Sequence, residues 1–187
     1  MEYENTYIYI LGRLISGGQT GVDRAALDVA REQGIPAGGW CPAGRRSARG
    51  KIPARYPLIE ASSSAYPQRT RLNIRDSDAT LVISHGPPTG GTRLTITLAT
   101  RLKRPCLVID LSVMSVPAAQ IAFLEWLQFV KPVVLNVAGP RASESPGIGR
   151  KVRTILCAVL APPEDAGSMA EWPPKRPRTP KLPGIEK

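Results

Sequence analysis

The chain has few of the residues that most often carry metal-dependent or nucleophilic chemistry. Its 187 residues include one histidine and three cysteines. Cys41, Cys106 and Cys157 are widely spaced and odd in number, which argues against a disulfide framework or a zinc site. His85 has no serine or cysteine partner placed in a nucleophile elbow. We therefore expect no metal site and no nucleophilic triad.

Long apolar runs are also missing. No stretch reaches the roughly 18–20 apolar residues that a membrane helix requires. The first residues, MEYENTYIYILG, are acidic and lack the basic region that precedes the apolar run of a secretory signal. We therefore expect a cytoplasmic protein with no membrane partner.

Positive charge is abundant, but its distribution does not favour nucleic acid as the partner. The net charge is +10, and residues 172–187 hold five basic residues against one acidic residue. The remaining charge is scattered, and aromatic residues, only 5% of the chain, are not interleaved with arginine. A pocket for an anion explains this balance as well as a nucleic-acid surface does. Contact between nucleic acid and the basic tail stays open as a third possibility.

Short apolar runs alternate with helical patterns along the chain. Strands are predicted at 13–16, 36–40, 79–84, 106–109 and 133–137, and residues 7–10 can lead into the first of them. Helices are predicted at 20–33, 66–76, 92–103, 117–129 and 146–159. Continuous apolar strands separated by helices predict an α/β, Rossmann-like fold, an open and mainly parallel sheet with helices on both faces. We assign 1–161 to this domain and 162–187 to a Pro-rich basic tail that is extended or disordered.

Three glycine-rich turns each follow a predicted strand. The first turn is SGGQTG at 16–21, the second is GPPTGGT at 86–92, and the third is GPRASESPG at 139–147. Such turns present backbone N–H groups at helix N-termini, where phosphate-like anions bind. The carboxyl ends of parallel strands share one edge of a sheet, so the turns are expected to form one ligand site. With an assumed strand order of 2-1-3-4-5, the first and second turns would be neighbours.

The candidate ligand-binding residues lie in these turns, at the start of the first helix and in the helix before the third strand. They are Gly17, Gly18, Gln19, Thr20, Gly21, Asp23, Arg24, Arg69, Asn73, Gly90, Gly91, Thr92, Arg141 and Ser143. Structural roles are open for several of them: Asp23 can interact with the helix dipole, Arg24 can form a salt bridge, and Thr92 can cap its helix. Ser145 is expected to be the N-cap of the last helix, with Pro146 in the first turn.

Two carboxylates before the third strand allow a second interpretation. Asp76 and Asp78 are two residues apart, a spacing compatible with acid–base chemistry or Mg²⁺ binding. Short polar side chains also end helices and form turns, and we favour that role here.

The order of these motifs resembles the molybdenum (cofactor) carrier protein family. The stretches that carry the resemblance are SGGQTGVDRAALD, GGWCPAGRRSARGKIP, RTRLNIRDSDATLV, GGTRLT and NVAGPRASESPGIG, within residues 14–160. That family lies in the Rossmann-like superfamily that includes the lysine-decarboxylase-like phosphoribohydrolases. The resemblance implies a usually homo-oligomeric protein that binds molybdenum cofactor or a related phosphorylated small molecule. A nucleotide would suit the same turns.

The same resemblance bears on catalysis. The related phosphoribohydrolases carry a PGGxGTxxE pattern with a catalytic acid, and Thr95 stands at the position of that acid in this chain. The resemblance therefore favours a binding protein over an enzyme. The alternative is a hydrolase that acts on a nucleotide or its ribosyl derivative, with Asp23, Asp76 or Asp78 as the acidic group.

Overall fold

The structure is a computed structural model, and it describes residues 11–161. The predicted tail at 162–187 and the possible strand entry at 7–10 lie outside the described residues. The strands are β1 Arg13–Ile15, β2 Ala37–Gly38, β3 Trp40–Cys41, β4 Arg46–Ser47, β5 Gly50–Lys51, β6 Ile59–Glu60, β7 Ala79–Ser84, β8 Cys106–Asp110 and β9 Val134–Ala138. The helices are α1 Val22–Glu32, α2 Tyr66–Arg75, α3 Gly90–Arg101, α4 Val116–Val130 and α5 Ile148–Leu160.

The predicted Rossmann-like α/β fold is confirmed. Five parallel strands form the central sheet, and the helices fall into two packed groups that cover it. In one group α1 packs against α5 and α5 against α4; in the other α2 packs against α3. The core is the apolar contact between sheet and helices, with β7 buried along its whole length.

The assumed strand order is wrong, and the difference matters for the site. The order is β2-β1-β9-β7-β8, so the last strand of the chain lies between β1 and β7. Leu135 and Val137 of β9 are fully buried, whereas Val108 of the edge strand β8 is 39% exposed. Both strands are short, mostly apolar runs in the sequence, so local pattern alone did not distinguish the central strand from the edge strand. As a result the third turn, not the second, is the neighbour of the first.

Two local predictions also differ from the structure. The predicted strand at 36–40 divides into β2 and β3 at Gly39 (φ +123°), after which the chain leaves the central sheet to pair with β6. Ser145 does not cap α5, because Gly147, in the left-handed conformation at φ +81°, is the N-cap. The Ser145 carbonyl instead accepts a hydrogen bond from the Ile148 N–H at 3.2 Å.

Candidate functional site

The three turns meet at the carboxyl edge of the sheet, with the third turn in the middle. Together with α2 they enclose a small cleft of about 40 Å³. Its lining comes from all three turns and from the helices next to them: Gln19, Asp23, Arg69, Gly91, Thr92, Thr95, Ala138, Gly139, Arg141 and Glu144. The three turns predicted from the sequence therefore lie together around this cleft, although the assumed order of neighbours was wrong.

Glycine allows the turns to approach one another this closely. A Cβ on Gly21, whose φ is +88°, would lie 2.6 Å from the Pro140 carbonyl oxygen and 2.7 Å from the Ala142 nitrogen. A Cβ on Gly139 would lie 2.3 Å from the Ile83 carbonyl oxygen. Real Cβ atoms do not tolerate such distances, so these glycines hold the first turn, the third turn and the end of β7 in contact.

A buried ion pair forms the floor of the cleft. Arg69 Nη1 of α2 donates to Asp23 Oδ2 at 3.3 Å, and the same oxygen accepts from the Gln19 N–H at 3.2 Å. The guanidinium lies directly over Gly17, since a Cβ there would be 1.5 Å from Arg69 Nη1. Burial raises the pKa of Asp23, and the Arg69 charge and the Gln19 N–H offset only part of that effect.

Arg69 has donor capacity left over. Its Nε is buried and has no hydrogen-bond partner among the described residues. An unpartnered charged donor at the wall of a cleft is costly unless something binds to it. Arg69 is therefore suited to hold an anion on one side while it neutralises Asp23 on the other.

The third turn brings a second arginine and a carboxylate. Arg141 Nε pairs with Glu144 Oε1 at 3.1 Å, and the guanidinium stacks 5.5 Å from the centre of the Tyr66 ring. The Arg141 side chain is 35% exposed and Glu144 is 54% exposed, so solvent screens this pair and a ligand can compete for the arginine. A planar guanidinium suits a phosphate or similar oxyanion.

The start of α3 supplies backbone donors from the second turn. The N-cap residue, Thr89, makes no side-chain cap hydrogen bond, and the first turn of the helix contains no acidic residue. A Cβ on Gly91 would meet nothing within 4 Å, so the backbone there is open to a ligand. The helix N-terminus carries partial positive charge, which adds to that of Arg69 and Arg141.

Several candidate residues make contacts outside the cleft. Asn73 is bonded on both sides to the backbone of Trp40, at 2.7 and 3.0 Å. Arg24 donates to the Gly18 carbonyl and to Ser47 Oγ, both at 3.1 Å, and Ser143 is exposed. The remaining candidates, Gly17, Gly18, Thr20, Gly21 and Gly90, shape the turns without lining the cleft.

The two candidate acids before β7 stabilise the fold. Asp76 accepts a hydrogen bond from Trp40 Nε1 at 2.7 Å and pairs with Arg75. The hydrogen bond from Arg75 is the main cause that lowers the pKa of Asp76. Asp78 Oδ2 accepts from the Val134 N–H at 2.8 Å, which ties the start of β9 to β7. Among residues 11–161 no cluster of histidine, cysteine or carboxylate side chains has the geometry of a metal site.

Among the residues that line the cleft, two polar side chains were not predicted as site residues. Thr95 is buried and donates to the Gly91 carbonyl at 3.0 Å, and Glu144 pairs with Arg141. Thr95 lies three residues after Thr92, and Glu144 lies three residues after Arg141; Thr92 and Arg141 were both predicted site residues. An i, i+3 spacing at a helix start or in a turn was the available signal.

The fold and the cleft define a Rossmann-like α/β domain with a small cleft, lined by Arg69 and Arg141, at the carboxyl edge of its sheet. Residues 14–160 match the circularly permutated YpsA SLOG family, and the chain belongs to that family. A crystal structure from Syntrophus aciditrophicus SB, of a protein named "Putative molybdenum carrier protein", is 46% identical. The match covers 81% of this chain and 96% of the chain in the crystal structure, with a TM-score of 0.79. No curated protein matches the chain.

These comparisons confirm the resemblance found in the sequence motifs. The matched segment excludes the first residues and the Pro-rich tail, as the motifs did. In the described part of the chain, no helix has the length and hydropathy needed to cross a membrane.

Proposed function

We propose that the protein binds a phosphorylated small molecule in the cleft between the three turns, as a carrier, store or sensor. Molybdenum cofactor or a related compound is the leading ligand, and a nucleotide is the alternative. One observation carries the proposal: Arg69, Arg141 and the N-terminus of α3 come from three separate segments and face the same small space. Asp23 and Glu144 each pair with one of these arginines, but Arg69 Nε has no hydrogen-bond partner among the described residues.

The donor set suits the phosphate end of such a ligand. An oxyanion can take two guanidinium donors and backbone N–H groups at once, and each charge-assisted hydrogen bond is worth about 1.5–3 kcal/mol. Molybdenum cofactor contains a pterin with a terminal phosphate, and the exposed carboxylate of Glu144 can accept a hydrogen bond from a ring N–H group. The cleft is far smaller than ligand pockets of roughly 300–1,000 Å³, so it would hold the anionic group while the rest extends outward.

Calorimetric titration tests this proposal. Purified protein is titrated with molybdenum cofactor, AMP and ADP-ribose, alongside the variants Arg141→Ala and Arg71→Ala. Arg71 is an exposed residue of α2, so its loss changes the net charge equally without touching the cleft. We expect saturable binding that Arg141→Ala weakens about 10-fold or more and Arg71→Ala leaves within about twofold. Folded protein that binds none of these compounds would refute the proposal.

A second candidate function rests on Asp23. A buried carboxyl group with a raised pKa at the wall of a cleft is suited to general acid catalysis. The reaction would be hydrolysis of a nucleotide or its ribosyl derivative. Incubation with AMP, NAD and ADP-ribose followed by chromatography would detect products. Turnover that Asp23→Asn abolishes, in protein that still binds ligand, would favour an enzyme.

We also propose that copies of the chain associate in the cytoplasm. Large apolar side chains are exposed on α4 and on the two segments that flank it: Val113, Ile121, Leu124, Phe129 and Val133. Exposed apolar surface of this kind is typical of a protein interface, and the family resemblance indicates a second copy as the partner. Light scattering after size exclusion should give a mass above 20.2 kDa, and Phe129→Lys should lower it. A monomeric wild-type protein at micromolar concentration would contradict association.

A further inference from the structure

The cleft continues along the carboxyl edge of the sheet, past the second and third turns. A second cleft, of about 70 Å³, shares Thr92 and Glu144 with the first. A third, of about 290 Å³, shares His85, Glu144 and Ser145 with the second and reaches Ile148 and Lys151 of α5. The three clefts form one trough that runs from Arg69 to Lys151.

Positive charge stands at the far end of this trough as well. Lys151 lies at the start of α5, and the first turn of that helix contains no acidic residue. A cation near a helix N-terminus is unfavourable, since the dipole already places partial positive charge there. An anionic ligand would remove that cost.

A buried hydroxyl lies along the trough, in the second cleft. Ser84, at the end of β7, lines the second cleft and is 3% exposed. Its Oγ has no hydrogen-bond partner among the described residues. Buried hydroxyls are nearly always partnered, so Ser84 has a donor and acceptor available to a ligand.

Negative groups lie around the middle of the trough. Glu144 lines all three clefts and pairs with Arg141. Asp110, at the end of β8, interacts electrostatically with His85, and its Oδ1 is already bonded to the Gly86 N–H at 2.7 Å and to Ser112. Two regions of positive charge are therefore separated by a carboxylate.

We infer that the ligand carries two separate anionic groups, one held at Arg69 and Arg141 and the other at His85, Ser84 and Lys151. This inference rests on the proposed function and narrows its substrate class. The ligand would be a bisphosphate, or a nucleotide with a second phosphate, whose two charges are joined by an uncharged segment that passes Glu144. A single run of adjacent phosphates would place negative charge against that carboxylate.

Matched pairs of compounds test the inference. The two members of each pair differ by one phosphate, and the position of the added phosphate varies from pair to pair: ribose 5-phosphate with ribose 1,5-bisphosphate, AMP with adenosine 3′,5′-bisphosphate, and NAD with its 2′-phosphate. Calorimetry gives the affinity ratio in each pair for the wild type, for the double variant His85→Asn/Lys151→Ala, and for the control Arg101→Ala. Arg101 lies in the last turn of α3, at the opposite end of that helix from the trough.

We expect at least one pair in which the second phosphate tightens binding by about tenfold or more. In the double variant that ratio falls to about one, and in Arg101→Ala it is retained. Ratios near one for every pair in the wild type would overturn the inference, and so would a gain that survives the double variant. The proposed function fails separately, since it requires only that compounds without the added phosphate bind and that Arg141→Ala weakens their binding.

Discussion

Replacement of Gly17 by alanine should break the buried ion pair under the cleft. The added Cβ would lie 1.5 Å from Arg69 Nη1, 2.4 Å from Cζ and 3.0 Å from Asp23 Oδ2. Arg69 is 15% exposed and has a flexible side chain, so it can swing out while the backbone stays in place. Asp23 would then remain buried with the Gln19 N–H as its main support.

The size of the effect follows from the burial of Asp23. Leaving one member of a buried pair without its partner costs about 3–5 kcal/mol. Protonation of Asp23, whose pKa is already raised by burial, recovers part of this, so we expect about 2–4 kcal/mol. For a domain of this size each kcal/mol lowers the melting temperature by roughly 2–4 °C, so a fall of about 5–15 °C is expected.

A second glycine variant provides the matched control. Gly91→Ala adds the same methyl group at a helical position where nothing lies within 4 Å, so the melting temperature should stay level or rise slightly. Its methyl projects into open space at the cleft, so ligand affinity should fall. Thermal melts followed by circular dichroism, with calorimetric titration of AMP, separate the two effects. A Gly17→Ala protein that melts and binds as the wild type would refute this account of the ion pair.

Three further predictions concern the neighbouring side chains. Asn73→Ala should lower the free energy of unfolding by about 2–3 kcal/mol in a urea titration, because two backbone groups of Trp40 lose their partner. The affinity for AMP should stay unchanged, and weakened binding in folded protein would instead place Asn73 in the site. Glu144→Gln should tighten binding of AMP severalfold, because it frees Arg141 and removes a negative charge from the trough. Unchanged or weaker affinity, measured by calorimetry, would contradict this prediction. Burial raises the pKa of Asp23, so the folded state favours the protonated carboxyl group and ionisation opposes folding. The free energy of unfolding of the wild type, compared with that of Asp23→Asn, should therefore fall as the pH rises from about 3.8, the ordinary pKa, through the raised pKa of the folded state. A stability difference that does not change with pH would contradict the direction of that shift.

Local features of the fold could be predicted from the sequence. Apolar periodicity gave each helix within about two residues, and the glycine-rich turns indicated the edge of the sheet that carries the cleft. Strand order could not be predicted, because β8 and β9 have the same kind of apolar run and pairing depends on distant segments. The cap of α5 was missed because Ser145 and Gly147 are both good cap residues.

The composition of the site was predictable only in part. Arginines and glycines near the turns were identified. However, Asn73 forms its hydrogen bonds with backbone, and Arg24 donates to backbone and to Ser47. Whether a polar side chain faces a ligand or the backbone depends on the three-dimensional position of its partners. Trp40, which engages Asn73, is 33 residues away in the chain.

The central claim is that the three turns form one anion site. Amide chemical shifts measured by ¹H–¹⁵N NMR during a titration with AMP test it directly. We expect the amides of Gln19, Gly91 and Arg141, one from each turn, to shift together and to fit a single dissociation constant. Shifts confined to one turn, or three turns that respond with different constants, would contradict the claim.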